Sequence, residues 1–183
     1  MRWLPVILSL LWFAIPQSAE AKSWQTLKGC QLVAASSNDG DSFRVSQDGQ
    51  EFVVRIYYAD TPEVDGRFKD RIEAQAAYFG LTKDQAIQVG KMARDYTQQR
   101  LKNGFTVDTR WQGVYGGDRV TRKYGKVSVR GRDLAELLVS NGLARIHGMG
   151  IGGQTNEEVA RLRELEAKAK TQKRGAWGIQ KRR

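Results

Sequence analysis

The stretch "SFRVSQDGQEFVVRIYYADTPE", residues 42–63, decides the fold. Asp48-Gly49 is a hairpin turn signal between two extended runs, Ser42–Ser46 and Phe52–Tyr58. Upstream, WQTLKGCQLVAAS (24–36) reads as a first strand, and Asn38-Asp39-Gly40-Asp41 as the turn leading out of it. Three strands in meander therefore open the domain. The third strand is unusual. Arg55 sits inside the apolar run of Phe52, Val53, Val54 and Ile56, and Asp60, Thr61, Pro62 and Glu63 then stop the strand abruptly. A solvated turn needs one acid and a Gly or Pro. One fixed cation and two acids within nine residues suit the binding of a metal and a phosphate together. Asp39 and Asp41 lie in the first turn and Asp60 and Glu63 at the end of the third strand, so a meander can bring both pairs to one end of the sheet. Hard oxygens gathered there suit Ca²⁺ or Mg²⁺, and Arg55 supplies a phosphate fork. Arg55 and Asp60 are five residues apart, so a straight strand aims them at opposite faces. For them to meet, the chain must bend between Tyr57 and Asp60.

The remainder alternates helices and strands. Thr82 and Gln85 form a capping box ahead of an apolar stripe of Ala86, Val89, Ala93 and Tyr96, with Met92 and Leu101 beside it, and Asn103-Gly104 ends that helix. Residues 64–81 read as a polar stretch. Phe105, Val107, Thr109 and Trp111 alternate with polar residues as a strand, Tyr115–Gly117 as a loop, and Val127–Val129 as a short strand. Asp133 caps a helix through Leu134, Leu137 and Leu138 that stops at Asn141-Gly142. Thr155 and Glu158 form a second capping box, opening a polar helix to about Lys173 that docks through Leu162, Leu165 and Trp177. The sum is an α+β pattern.

Residues 1–21, MRWLPVILSLLWFAIPQSAEA, have a positive start, a short apolar run and an Ala19-Glu20-Ala21 cleavage site. They read as a secretory signal removed after Ala21, which leaves no stable membrane anchor and places the protein in the periplasm or the medium. The run is shorter than the ~20 residues a bilayer-spanning helix needs. The mature part is about 160 residues, one ordinary domain. The net charge is +10, and a pI near 9.9 favours an acidic partner. A single cysteine, Cys30, allows no internal disulfide and reads as a core residue. With one histidine, His147, read as partly buried, zinc sites of the Cys/His kind are excluded. "GMGIGG" (148–153) spells G-x-G-x-x-G, but no βαβ unit surrounds it, so it is not a dinucleotide site.

"DGDSFRV" (39–45), "VVRIYYADTPE" (53–63), "KYGK" (123–126), "ELLVSNGLA" (136–144) and "LRELEAKAKTQKRGAW" (162–177), in that order, resemble the staphylococcal nuclease family over roughly residues 30–178. The resemblance implies a five-stranded OB-fold β-barrel with about three α-helices at 22–178, followed by a basic tail at 179–183. Such barrels bind oligonucleotides. It further implies that the carboxylates of Asp41 and Asp60 and the backbone carbonyl of Thr61 hold one Ca²⁺, with Asp39 just outside that shell. Glu63 would be the general base on the attacking water, and Arg55 would grip the phosphate. Lys123 and Tyr124 would contact a terminal phosphate. The implied reaction is hydrolysis of single-stranded DNA or RNA by a monomer, leaving 3′-phosphate ends. Two departures stand out. The family's second catalytic arginine follows "KYG", where this chain has Lys126, and a lysine cannot reproduce a bidentate fork. Arg119, Arg122 and Arg130 are the candidates to replace it. The family's base-flanking tyrosines fall where this chain has "HGMGIGG" (147–153). A member weakened in this way would bind nucleic acid without efficient cleavage.

Overall fold

Asp48 and Gly49 both adopt positive φ, 49° and 78°, the geometry of a tight two-residue hairpin whose twist matches its strands. The hairpin joins β2 (Ser42–Gln47) to β3 (Gln50–Ile56), and β1 (Gln25–Leu32) pairs antiparallel with β2. In this computed structural model the described residues are 23–115, 121–148 and 155–179. The segment read as a secretory signal, the 179–183 tail beyond Ile179, Arg119 and most of the glycine run after His147 lie outside them.

β5 (Phe105–Tyr115) pairs with β1, and β6 (Thr121–Val129) pairs with β5. β6 then runs parallel to β3, with Arg55 opposite Tyr124 and Ile56 opposite Gly125. That contact closes the sheet into a five-stranded mixed barrel in the order β3-β2-β1-β5-β6, the OB-type α+β fold. A short β7 (Arg132–Asp133) extends β6. β4 (Ala59–Asp60) leaves the barrel and pairs with β8 (Arg145–Ile146). Gly125 has Val107 and Val54 side chains packed so closely that a Cβ would lie 2.8 Å from Val107 Cγ1, so the seam of the barrel needs a residue without a side chain there.

Among the described residues four α-helices flank the barrel: α1 (Lys69–Phe79), α2 (Lys83–Leu101), α3 (Leu134–Ser140) and α4 (Asn156–Thr171), followed by a 3₁₀ turn at Gly175–Gly178. Both capping boxes form, at Thr82/Gln85 and Thr155/Glu158, and Asp133 caps α3. The core joins the barrel interior to the inner helix faces. Cys30, Phe43, Val45, Val54, Ile56 and Val107 meet Val89, Ala93, Leu101, Leu134 and Leu138, all buried. Burying each large aliphatic chain contributes about 1.5–3 kcal/mol. No helix among the described residues is long and apolar enough to cross a membrane.

Several readings need correction. The stretch read as polar contains α1. Its inner face is Ile72, Gln75, Ala76 and Phe79, so a short apolar stripe is interrupted by a glutamine on the core side, and its N-cap, Phe68, makes no side-chain capping hydrogen bond, so no start signal announces it. Gly80, at φ 69°, supplies the left-handed stop. Met92 is 49% exposed and belongs to the outer face of α2. His147 is exposed. β6 starts at Thr121, well ahead of the short strand expected.

Candidate carboxylate–arginine site

The bend required between Tyr57 and Asp60 is present. β3 ends at Ile56, Tyr58 takes the left-handed conformation at φ 65°, and β4 resumes at Ala59. A tyrosine at positive φ is a strained choice. The strain is compensated by burial of its ring, which is 7% exposed. The turn swings Asp60 back onto the strand face that Arg55 occupies. Arg55 leaves the barrel interior without reaching open water; its side chain is 15% exposed.

Arg55 binds two carboxylates at once. One terminal nitrogen donates to Asp41 Oδ1 and the other to Asp60 Oδ1, the latter at 2.6 Å. Asp41 Oδ2 accepts the Thr61 backbone N–H at 2.5 Å. Asp39 Oδ1 accepts the backbone N–H groups of Asp41 (3.1 Å) and Ser42 (2.6 Å), which folds the loop that presents Asp41. The loop 60–63 is wedged between two glycines. A Cβ on Gly40 would lie 2.7 Å from Thr61 Cγ2, and one on Gly90 of α2 would lie 2.2 Å from the Glu63 carbonyl oxygen. Only glycine admits backbone approach this close.

Three further residues complete the site, and the sequence reading missed all of them. Gln75 of α1, fully buried, accepts the Glu63 backbone N–H at 3.0 Å and donates to Asp60 Oδ2 and to the Thr61 carbonyl, both at 3.0 Å. Arg145, opposite Asp60 in the β4–β8 pair, donates Nε to Asp60 Oδ2 at 2.8 Å. Arg71 of α1 places Nη2 at 2.7 Å from Glu63 Oε1 and 3.8 Å from Asp60 Oδ1. Arg145 did carry a signal: like Arg55, it is a guanidinium threaded through an apolar run, Leu143 to Ile146. Gln75 is a polar residue in register with Ile72, Ala76 and Phe79, legible only once α1 is known. Arg71 carried none.

Among the described residues, four carboxylates thus face three guanidiniums. Burial pushes Asp41 well above the usual carboxylate range; Arg55 opposes this, and Asp39 and Asp60 reinforce it. Burial likewise raises Asp39, against the charge of Arg55. Glu63 is raised by burial, with Arg71 pulling the other way and Asp41 and Asp60 adding to the rise. Asp60 goes in the opposite direction. Burial would raise it, but Arg55, the Gln75 hydrogen bond and Arg145 together bring it down to about 2. Arg55, although buried, is held more firmly protonated by Asp41 and Asp60. Among the described residues the acids outnumber the guanidiniums by one, and their oxygens are of the hard kind that alkaline-earth cations prefer. Among the described residues no three His, Cys, Asp or Glu side chains come close enough to hold a metal alone; a cation here would need the Thr61 carbonyl beside Asp41 and Asp60.

The other anticipated residues are distributed as follows. Lys123 and Tyr124 lie opposite Val54 and Arg55 in the β3–β6 pair, and the Tyr124 ring stacks on Tyr57 with centroids 4.9 Å apart. Lys126 pairs with Glu158 of α4 and lies 5.1 Å from the centre of the Trp24 ring. Among the described residues it pairs with none of the four carboxylates. Of the arginines considered as replacements for the second fork, Arg122 donates to Ser42 Oγ at 2.8 Å, and Arg130 is exposed in the turn at the far end of β6.

One comparison with known proteins bears on this geometry. The family model described as "Staphylococcal nuclease homologue" matches residues 53–178. The match takes in Arg55, Asp60, Thr61, Glu63, Arg71, Gln75, Lys126 and Arg145, while Asp39 and Asp41 precede it. It covers most of the chain, and the closed barrel with its flanking helices agrees with it. The chain belongs to the staphylococcal nuclease homologue family.

Proposed function

We propose that this protein is an exported, calcium-dependent nuclease that hydrolyses phosphodiester bonds of single-stranded DNA and RNA and leaves 3′-phosphate ends. The observation that carries the reading is the convergence of Asp41, Asp60 and Glu63 on one buried arginine-lined corner, in a barrel of a nuclease family. The basic net charge suits a polyanionic substrate, and export rests on the leader-like sequence at 1–21.

Asp41, Asp60 and the Thr61 carbonyl would hold the calcium, which would neutralise charge on the phosphoryl group and polarise the attacking water. Glu63 would accept the proton of that water. Burial, which raises it above an ordinary glutamate, makes it a better base at neutral pH. Arg55 would stabilise the charge developing on the five-coordinate phosphorus. Gln75 holds the Glu63 backbone, and so fixes where the base stands.

A second reading has its own support. Lys126 is engaged with Glu158, so no residue from the "KYGK" strand reaches the carboxylates from that position. A member lacking that contact would bind nucleic acid with little turnover. Hydrolysis of denatured DNA and of RNA with Ca²⁺, with Mg²⁺ and with chelator, alongside Glu63→Ala, separates the two. Calcium-dependent cleavage lost in Glu63→Ala supports the nuclease. Oligonucleotide binding without cleavage in excess Ca²⁺ supports the binding protein.

A further inference from the structure

We infer that Arg71, presented by α1, is a catalytic residue that grips the substrate phosphate and, in doing so, releases Glu63. The inference rests on the nuclease reading of the same corner. Among the described residues three guanidiniums pair with its carboxylates, and they differ in what they have left to give. Arg55 has both terminal nitrogens on carboxylates and is 15% exposed. Arg145 has its Nε on Asp60, lies over the Tyr78 ring and is also 15% exposed. Arg71 is 44% exposed and spends one terminal nitrogen, on Glu63 and more distantly on Asp60. It alone of the three combines a place at the carboxylates with a solvent-facing fork.

Its anchoring suits a substrate contact. The Arg71 side chain rises from the first turn of α1 with its guanidinium 5.4 Å from the centre of the Phe68 ring, which restrains the stem without occupying the donors. Helix α1 is itself fixed to the site by Gln75, one turn further on, through three hydrogen bonds to residues 60–63. The fork is therefore registered to Glu63 by its own helix.

Arg71 is 44% exposed and meets the buried Glu63 through one nitrogen only, whereas a guanidinium–phosphate contact is bidentate and charge-assisted. An arriving phosphodiester would draw Arg71 off Glu63 Oε1. That oxygen would then stand unpaired beside the phosphate, able to take a proton from the attacking water. Without substrate, the base stays occupied. Arg71 thereby offers a second phosphate fork from a helix, in a chain whose Lys126 is turned to Glu158.

The test is fluorescence anisotropy with a labelled eight-nucleotide single-stranded DNA in chelator, across a salt series, together with hydrolysis rates in Ca²⁺. The proteins are the wild type, Arg71→Gln, Arg71→Lys and Arg163→Gln, the last an exposed α4 arginine that controls for bulk charge. Loss of one charge-assisted phosphate contact predicts about 10- to 100-fold weaker binding in Arg71→Gln, with Arg71→Lys between it and the wild type. The slope of log affinity against log salt should fall by about 0.7, the share of one phosphate on a single strand. Arg163→Gln should stay within about twofold of the wild type. Arg71→Gln that melts like the wild type yet binds equally tightly with an unchanged slope overturns the inference. A wild type that binds but cleaves neither DNA nor RNA in Ca²⁺ overturns the nuclease reading instead, while the anisotropy still decides Arg71. A wild type that binds no oligonucleotide overturns both.

Discussion

Replacing Gly90 by alanine should damage activity far more than stability. A Cβ at this position stands 2.2 Å from the Glu63 carbonyl oxygen, 2.4 Å from the Pro62 carbonyl oxygen and 2.7 Å from the Glu63 carbonyl carbon. Ordinary C···O approaches are about 3.3–3.6 Å, so helix and loop must separate by roughly 1 Å. Every obstacle is backbone, and no rotamer change relieves it. The helix itself gains, since alanine is favoured over glycine by about 0.8–1 kcal/mol in a helix interior. Overpacking costs about 1–3 kcal/mol. The net is a loss of about 0–2 kcal/mol, which lowers Tm by up to about 8 °C in a domain of this size. The loop that moves carries Thr61 and Glu63, and a displacement of about 1 Å in a catalytic group can cost about 100-fold in rate. The assay is initial-rate hydrolysis of denatured DNA in Ca²⁺, at a temperature well below both melting points, with thermal melts in parallel. A variant that melts higher than the wild type and cleaves at the same rate would refute the reasoning. It would mean that the α2–loop contact does not set the position of the base.

Gln75→Leu leaves the Glu63 N–H, the Thr61 carbonyl and Asp60 Oδ2 without their buried partner; urea denaturation should show a loss of about 2–4 kcal/mol. Asp60 is held at about 2 in the folded state, below its unfolded value, so its stabilising share is complete above about pH 4 and disappears as pH falls through 2. Asp60→Asn should therefore be less stable than the wild type by about 2 kcal/mol at pH 7, and the gap in urea midpoints should close on acidification; a gap that widens in acid would contradict the sign. Tyr58 buries a hydroxyl that has no hydrogen-bond partner among the described residues, so Tyr58→Phe should raise stability by about 1 kcal/mol, seen as a Tm increase of about 2–4 °C. Calcium in excess should raise Tm by mass action, and Asp41→Asn should abolish that rise; an equal rise in the variant would place the ion elsewhere.

Much of the fold was legible because local chemistry and tertiary structure agree. Asp48-Gly49 forms its hairpin, Thr82/Gln85 and Thr155/Glu158 cap their helices, and the period-two strands close a barrel. The bend at Tyr58 was legible by a different route: Arg55 and Asp60 could meet only if the strand broke between them, and it does. Helix α1 was hidden because its stripe is short and interrupted: Gln75 stands among Ile72, Ala76 and Phe79 on the inner face, and no capping residue opens the helix. Gln75 is there to satisfy the backbone of another loop, a requirement that no periodicity encodes. Lys126 shows the converse limit. Its place in the chain fixes its register on β6, but the partner its flexible stem selects, Glu158, lies 32 residues away on a separate helix.

The pairing of Asp60 with Arg145 in β4–β8, and of Arg55 with Tyr124 in the parallel seam, joins residues far apart in sequence. Contacts of such separation incur their loop-closure entropy before they return any stability. During synthesis, the acids at 39–63 would emerge together with Arg55, and Asp60 would lack its third cationic partner until the strand at 145 arrives. The carboxylate–arginine corner is thus among the last parts of the fold to assemble. A nascent chain that stops short of Arg145 would carry all four acids with Arg55 and Arg71 but without the guanidinium that holds Asp60 Oδ2, so the corner's hydrogen-bond network closes only once β8 has been made.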